Sequence, residues 1–133
     1  MISRRLALIG LVTLPWSTFP QGSNARAAFS QPFTMAAFAQ ALSEGRSILV
    51  EVSAEWCSTC RMQEEVLDQV RPHSDFWQML HMVVDFDTQR DIMRFLRVQK
   101  QATLIVFKGF HEKGRSVGDT NEARIARLLR AGL

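Results

Sequence analysis

The chain has 133 residues, with 16 Lys or Arg against 13 Asp or Glu, which gives a net charge of +3. This length suits one domain, and two cysteines are too few for a disulfide-rich scaffold. Arg4, Arg5 and Arg26 account for the excess, and residues 1–27 contain no acidic side chain. Residues 28–133 are therefore neutral overall, which argues against an electrostatic nucleic-acid-binding domain.

Residues 1–27 have the three-part pattern of an export signal. A positive start at Arg4 and Arg5 precedes an apolar run at 6–14, and residues 25–27 (Ala-Arg-Ala) offer small residues for signal peptidase. The apolar run rises only about 14 Å as a helix, well short of the roughly 20 residues that a membrane span needs. We expect cleavage near Ala27; the choice between the general and the twin-arginine export route stays open.

The rest of the chain alternates helical and strand patterns. Helical spacing or composition predicts helices at 33–42, 57–70, around 92–96, and at 121–131. Short apolar runs predict strands at 48–53, 82–86 and 103–107, and a turn at 109–114 precedes a return strand at 115–117. This order predicts an α/β domain at 28–133, with a central mixed four-stranded sheet flanked by helices on both faces.

Cys57 and Cys60 lie at the start of the second predicted helix, directly after a buried strand. A helix N-terminus presents unpaired N–H groups and a partial positive charge. Both stabilise a thiolate on the first cysteine, and thiol pKa values in such settings fall to roughly 3.5–7.5. Cys60 is one turn further and can resolve a mixed disulfide on Cys57, so the spacing favours a redox pair.

Three other interpretations of the cysteine pair compete with a redox role. A structural disulfide closing so short a loop would stabilise the fold little. A zinc site needs about four ligands, but His73, His81 and His111 are not at ligand spacing, and we expect them on the surface or in loops. A metallochaperone that binds copper through the same thiolates stays open as the alternative function.

The segment ILVEVSAEWCSTC, followed by VVDFD, VQKQATLIVF, Gly118 and a C-terminal amphipathic helix, resembles the thioredoxin superfamily over residues 33–133. The resemblance implies a thioredoxin fold and a thiol–disulfide oxidoreductase that needs no bound cofactor. Cys57 would be the exposed nucleophile and Cys60 the buried resolving thiol of a redox-active disulfide. Trp56 would pack beside the pair and shape the surface that meets the substrate.

Glu51 lies six residues before Cys57, where thioredoxins carry a buried acid beneath the active site. A charged group inside an apolar strand is costly unless it is paired or protonated. The resemblance therefore implies that Glu51 exchanges a proton with Cys60 during resolution. The competing interpretation is an edge-strand glutamate that points to solvent.

The sequence departs from the family before the strand at 103–107, where Ala102 replaces the usual cis-proline. A non-proline cis bond costs about 2.5–4 kcal/mol, so we expect the Gln101–Ala102 bond to be trans, or cis only under strain. In the family this loop faces the cysteines and binds the substrate backbone. Gln101 and Ala102 are therefore candidate substrate-binding residues, although the departure changes that contact.

Another departure lies between the cysteines, where Ser58-Thr59 replaces Gly-Pro, and Val83 stands where a lysine often accompanies the buried acid. These changes make the chain most similar to exported thioredoxin-like proteins, such as the C-terminal domain of thiol:disulfide interchange proteins. Arginine outnumbers lysine by 13 to 3, which favours a GC-rich bacterium and hence a periplasmic location. We expect a monomer that acts on protein thiols and disulfides, with a membrane-bound electron donor and no nucleic-acid or metal partner.

Overall fold

The computed structural model describes residues 30–73 and 75–133, so the export signal predicted at 1–27 lies outside the described residues. The strands are β1 (Gln31–Pro32), β2 (Ser47–Ser53), β3 (Leu80–Asp85), β4 (Thr103–Lys108) and β5 (His111–Val117). The helices are α1 (Met35–Ser43), α2 (Ser58–Val70), α3 (Arg90–Phe95) and α4 (Glu122–Arg130).

The strands form one mixed sheet in the order β1-β3-β2-β4-β5. β2 and β3 run parallel, whereas β4 runs antiparallel to both β2 and β5. The α/β fold with a mixed sheet is confirmed, but the sheet has five strands where four were predicted. The additional strand, β1, is only two residues long and pairs with Met82 and Val83 of β3, too short to leave a periodic pattern in the sequence.

Helices cover both faces of the sheet, as predicted. Alternate residues of β2 point to opposite faces, so Val50 and Val52 pack with α1 and α3 through Phe38 and Met93. Leu49 lies on the other face. It belongs to a second buried cluster that includes Leu67 and Val70 of α2 and Ile125 and Leu129 of α4. Glu51 has the same parity as Leu49, which places it on the face covered by α2 and α4.

Several element boundaries differ from the prediction, and those of β5 and α1 have a clear local cause. β5 begins at His111 rather than at residue 115, so the turn is shorter than the predicted 109–114. Its polar residues pair regularly with β4 up to a shift between Val106 and Phe107. The first helix begins after Thr34, whose Oγ1 accepts the Ala37 N–H at 3.2 Å, the usual role of an N-cap threonine.

The described residues 30–73 and 75–133 include four helices. Within them, none of the helices has both the length and the apolar character that crossing a bilayer requires.

Candidate active site

Cys57 and Cys60 form a disulfide where β2 leads into α2, with their Cα atoms 5.3 Å apart. Cys57 is the N-cap residue of α2, and its Sγ accepts the backbone N–H of Cys60 at 3.1 Å. The cysteine sulfur therefore occupies the place where other helices put a serine or aspartate oxygen. A helix start of this kind stabilises negative charge on the capping atom, which after reduction would be the Cys57 thiolate.

Both cysteines are buried in the disulfide state, which corrects the expectation that Cys57 is exposed. Cys57 is 4 % exposed and Cys60 1 %, so Cys57 keeps the larger solvent contact of the two. Ala54 and Ala102 form a small apolar cluster with them, and Phe86 packs against it. The sequence could not show this cover, because Ala102 and Phe86 come from distant loops.

Trp56 lies beside the disulfide and is 58 % exposed, so it is not a core residue. Its ring packs edge-on against Phe86 with centroids 5.9 Å apart, and its Nε1 donates to Asp87 Oδ2 at 2.9 Å. The prediction that Trp56 packs next to the pair agrees with this position. Asp87 was not singled out, yet it follows β3 as Trp56 follows the parallel β2, and such strand ends meet at one edge of a sheet.

The loop before β4 closes over the cysteines, and its Gln101–Ala102 bond is trans, since the described residues contain no cis peptide bond. Ala102 instead has a φ of 56°, in the left-handed region that alanine rarely adopts. Its N–H donates to Val52 O and its carbonyl accepts the Gly118 N–H, both at 2.8 Å. Gln101 is half-buried, and its backbone N–H and carbonyl make no hydrogen bond within the described segments.

Gln63 is a site residue that sequence reasoning missed. Its side chain is fully buried, and its Nε2 donates to Ala102 O at 3.0 Å and to Asp119 O at 2.8 Å. Gln63 is one turn after Cys60 on α2, so the spacing alone could have placed it on the same helix face. It ties the helix that carries the disulfide to the Ala102 loop and to the segment before α4.

Glu51 is buried at 2 % exposure in the centre of the sheet, where β2 has β3 on one side and β4 on the other. The edge-strand interpretation is therefore wrong. The Glu51 Oε2 lies 2.7 Å from His81 Nε2, and His81 Nδ1 lies 2.9 Å from Arg71 Nη1. Glu51 thus begins a buried chain of three polar side chains.

His81 corrects a second expectation, because it is only 7 % exposed and lies in β3 rather than on the surface or in a loop. The predicted strand began two residues too late, at Met82 instead of Leu80. Val83 does stand beside Glu51 in the strand register, but His81 precedes it by two residues and points to the same face. That parity was the available signal for a polar partner other than lysine.

The part of the chain that the structure describes has three histidines besides the cysteine pair. It contains no group of three or more His, Cys, Asp or Glu side chains arranged to hold a metal ion. His73 and His111 are exposed there, and His81 is engaged with Glu51 and Arg71. None of the three histidines joins the cysteine pair in a common cluster.

Comparison with known proteins gives the family. The thioredoxin family model matches residues 30–131. A thioredoxin from Echinococcus granulosus is 33% identical over 93 residues, covering 69% of this chain and 84% of its own length. A bifunctional thioredoxin reductase/thioredoxin from Mycobacterium leprae is 28% identical over 117 residues, 88% of this chain; the chain spans only 25% of that relative.

Among solved structures, a crystal structure of Trxlp from Edwardsiella tarda is similar, with a TM-score of 0.73 and 34% identity. The match covers 75% of this chain and 97% of that one. The helix-capping disulfide lies within the matched family region. The chain therefore belongs to the thioredoxin family and carries a thiol–disulfide oxidoreductase centre at Cys57 and Cys60.

Proposed function

We propose that the protein is an exported thiol–disulfide oxidoreductase that exchanges electrons with protein dithiols and disulfides. The observation that carries the proposal is the Cys57–Cys60 disulfide at the start of α2, with the Cys57 sulfur receiving a helix N–H. Reduction of this pair leaves Cys57 as the better-stabilised thiolate and as the more accessible sulfur. Cys57 is therefore the attacking residue, and Cys60 resolves.

The surface around the disulfide supports a protein substrate. Exposed Trp56 offers an apolar face next to Cys57, and the Gln101 backbone has an unpaired donor and acceptor among the described residues. An extended substrate segment could use both, since main-chain bonds bind a peptide without regard to its side chains. No bound cofactor is required, because the two cysteines themselves carry the electrons.

The location and the partners belong to the same proposal. The pattern of residues 1–27 supports export to a bacterial periplasm, where disulfides persist. A reductase in that compartment must itself be reduced, so we propose a membrane-bound electron donor. We expect a monomeric protein, to be checked by its mass in solution.

The direct test is reduction of insulin disulfides with dithiothreitol, together with trapping of substrates. The wild type should accelerate insulin reduction, Cys57→Ser should not, and Cys60→Ser should accumulate mixed disulfides on Cys57. Exposed Ser58→Ala is the matched control and should retain activity. Capture of substrates by Cys57→Ser instead of by Cys60→Ser would contradict the assigned roles.

The same preparation tests the copper chaperone alternative. Metal content and Cu(I) titration are measured beside the insulin assay. A protein that holds one equivalent of copper and fails to reduce insulin would favour the chaperone over the oxidoreductase.

A further inference from the structure

A chain of three polar side chains lies beneath α2 and consists of Glu51, His81 and Arg71. The chemistry of the two cysteines alone does not explain it. The three are 2 %, 7 % and 3 % exposed. Besides its contact with His81, Arg71 Nη2 donates to Met79 O at 2.7 Å. A buried polar group is costly unless it is hydrogen-bonded, so these contacts offset part of the cost of burying three such side chains.

The direction of the hydrogen bonds follows from the chemistry of arginine. A guanidinium has donors and no acceptor, so His81 Nδ1 must accept from Arg71 Nη1. The ring proton of a neutral His81 then lies on Nε2, which donates it to Glu51 Oε2. Burial lowers the pKa of Arg71, while nearby Glu51 and Asp68 raise it, and arginine keeps its charge in proteins.

In this arrangement one carboxylate oxygen of Glu51 is hydrogen-bonded and the other is not. Glu51 Oε2 accepts from His81, whereas Oε1 has no hydrogen-bond partner among the described residues. Glu51 lies on the face of the sheet covered by α2, the helix whose buried side carries Cys60 and Gln63. Oε1 is therefore the oxygen that can take a proton released on that face.

The groups that face Glu51 come from several elements. β3 contributes His81, and the end of α2 contributes Arg71, with Asp68 near that guanidinium. α2 also contributes Gln63 and Cys60, which are uncharged in the disulfide state. The buried side chains of the second cluster, on this same face, are apolar: Leu49, Leu67, Val70, Phe76, Met79, Leu104, Val106, Ile125 and Leu129.

We propose that His81 is a positioning residue: fixed by Arg71, it orients the Glu51 carboxylate so that Oε1 is free to accept the Cys60 proton. This rests on the proposed oxidoreductase function. In the resolving step the Cys60 thiol gives its proton to Glu51, and its sulfur attacks the Cys57 sulfur of the mixed disulfide. The Cys57–Cys60 bond forms, the bond from Cys57 to the substrate sulfur breaks, and that sulfur leaves with the electron pair. The cysteine pair is oxidised and the substrate disulfide is reduced.

The test compares two polar replacements of His81 that retain different halves of its contacts. The His81→Gln amide nitrogen takes the place of Nε2 and can still donate to Glu51. His81→Asn reaches only the Nδ1 position, so it keeps the Arg71 contact and loses the Glu51 contact. Attack and resolution rates are measured separately across pH by stopped-flow, with a model disulfide substrate that gives a spectroscopic signal.

For His81→Asn we expect an unchanged attack rate and a resolution rate that reaches its midpoint at a higher pH than in the wild type. His81→Gln should keep the wild-type midpoint, and so should His111→Leu, a replacement of an exposed histidine. In a Glu51→Gln background, His81→Asn should have no further effect.

Equal midpoints for the wild type, His81→Asn and His81→Gln would overturn the positioning role. So would an equal shift in both variants, since that would show a general structural effect. Failure of the proposed function would look different, because the wild type itself would then form no mixed disulfide on Cys57.

Discussion

Ala102 has a backbone conformation that alanine seldom adopts, and its neighbours explain how it is held. A left-handed φ costs a non-glycine residue roughly 1–2 kcal/mol, and the φ of Ala102 is 56°. Its N–H is bonded to Val52, and its carbonyl accepts from both Gly118 and Gln63. Three hydrogen bonds therefore hold this loop in a conformation that alanine alone would not favour.

Restoring proline at this position should destabilise the protein. Ala102→Pro removes the donor to Val52 and forces φ toward −65°, so we expect the free energy of unfolding to fall by more than about 1 kcal/mol. Ala102→Gly should raise it by up to about 1 kcal/mol, because glycine accepts the positive φ. Urea denaturation of the oxidised proteins, followed by far-ultraviolet circular dichroism, measures both.

Ala131→Gly is the matched control, since Ala131 lies at a helix end with an ordinary φ of −60°. It should show no gain. An Ala102→Pro protein as stable as the wild type would show that the loop does not depend on the Ala102 N–H.

The sequence located the disulfide pair because its partners are close along the chain. Cys57, Cys60 and Trp56 form one contiguous motif, and the helix start that organises them is local. His81 was missed because its partner Glu51 is 30 residues away, and Gln63 because Ala102 is 39 residues away. Pairings of that kind are set by strand register and by loop closure, which local patterns do not encode.

At the level of elements, a cluster of hydrogen bonds between residues close in sequence stabilises the start of α4. Asn121 caps the helix through the Arg124 N–H at 3.0 Å, and Asp119 receives both Nε and Nη2 of Arg124 at 2.9 Å. The hydrogen bond from Arg124 is the main reason that the pKa of Asp119 lies below its ordinary value of 3.8. The Asp119 carbonyl also accepts from Gln63, so the cluster connects α4 with α2.

Asp119→Asn should therefore lower stability in a pH-dependent way. The pKa of this carboxyl is lower in the folded than in the unfolded chain, so its contribution is complete above about pH 4 and is lost as the pH falls through the folded value. The gap in urea midpoint between variant and wild type should be small, because the Arg124 side chain is solvent-exposed, and it should close on acidification.

Exposed Asp75→Asn, in the loop before β3, serves as the control and should show little gap at any pH. A gap for Asp119→Asn that widens on acidification would contradict the assigned contact.

The element boundaries show where periodicity is informative. α2 and β4 were predicted nearly to the residue, because apolar spacing and a following proline or glycine define them. The predicted β5 was too short, because residues 111–116 are mainly polar. Its pairing with β4 therefore leaves little alternation of apolar and polar residues in the sequence. A strand with one solvated face and few apolar residues depends on its partner more than on its own composition.

For the molecule as a whole, the net positive charge and the folded domain belong to different parts of the chain. The thioredoxin family match covers residues 30–131, which lie in the electrically neutral part, whereas the positive excess belongs to residues 1–27. The sequence predicted the layered α/β architecture because alternating helices and strands admit few topologies. It did not show the fifth strand, whose two residues gain their structure only by pairing with β3.

We expect residues 1–27 to direct the protein to the periplasm of a Gram-negative host. When the full-length chain is expressed, the cleaved protein should appear in the periplasmic fraction. Its first residue should be Ala28, because the small residues before it suit signal peptidase. Mass spectrometry of the purified protein checks the cleavage site. A chain that starts at residue 28 is the control and should stay in the cytoplasm; an uncleaved full chain in the cytoplasm would contradict export.

The short strand β1 begins only a few residues after the expected cleavage site. Gln31 and Pro32 lie along the outer side of β3, and the Phe33 N–H donates to Val83 O at 2.8 Å. A cut after Ala27 leaves residues 28–30 ahead of β1, whereas trimming beyond Ser30 would strip this cover from β3. An uncovered strand edge pairs readily with other chains, so removal of β1 should make the domain prone to self-association through β3.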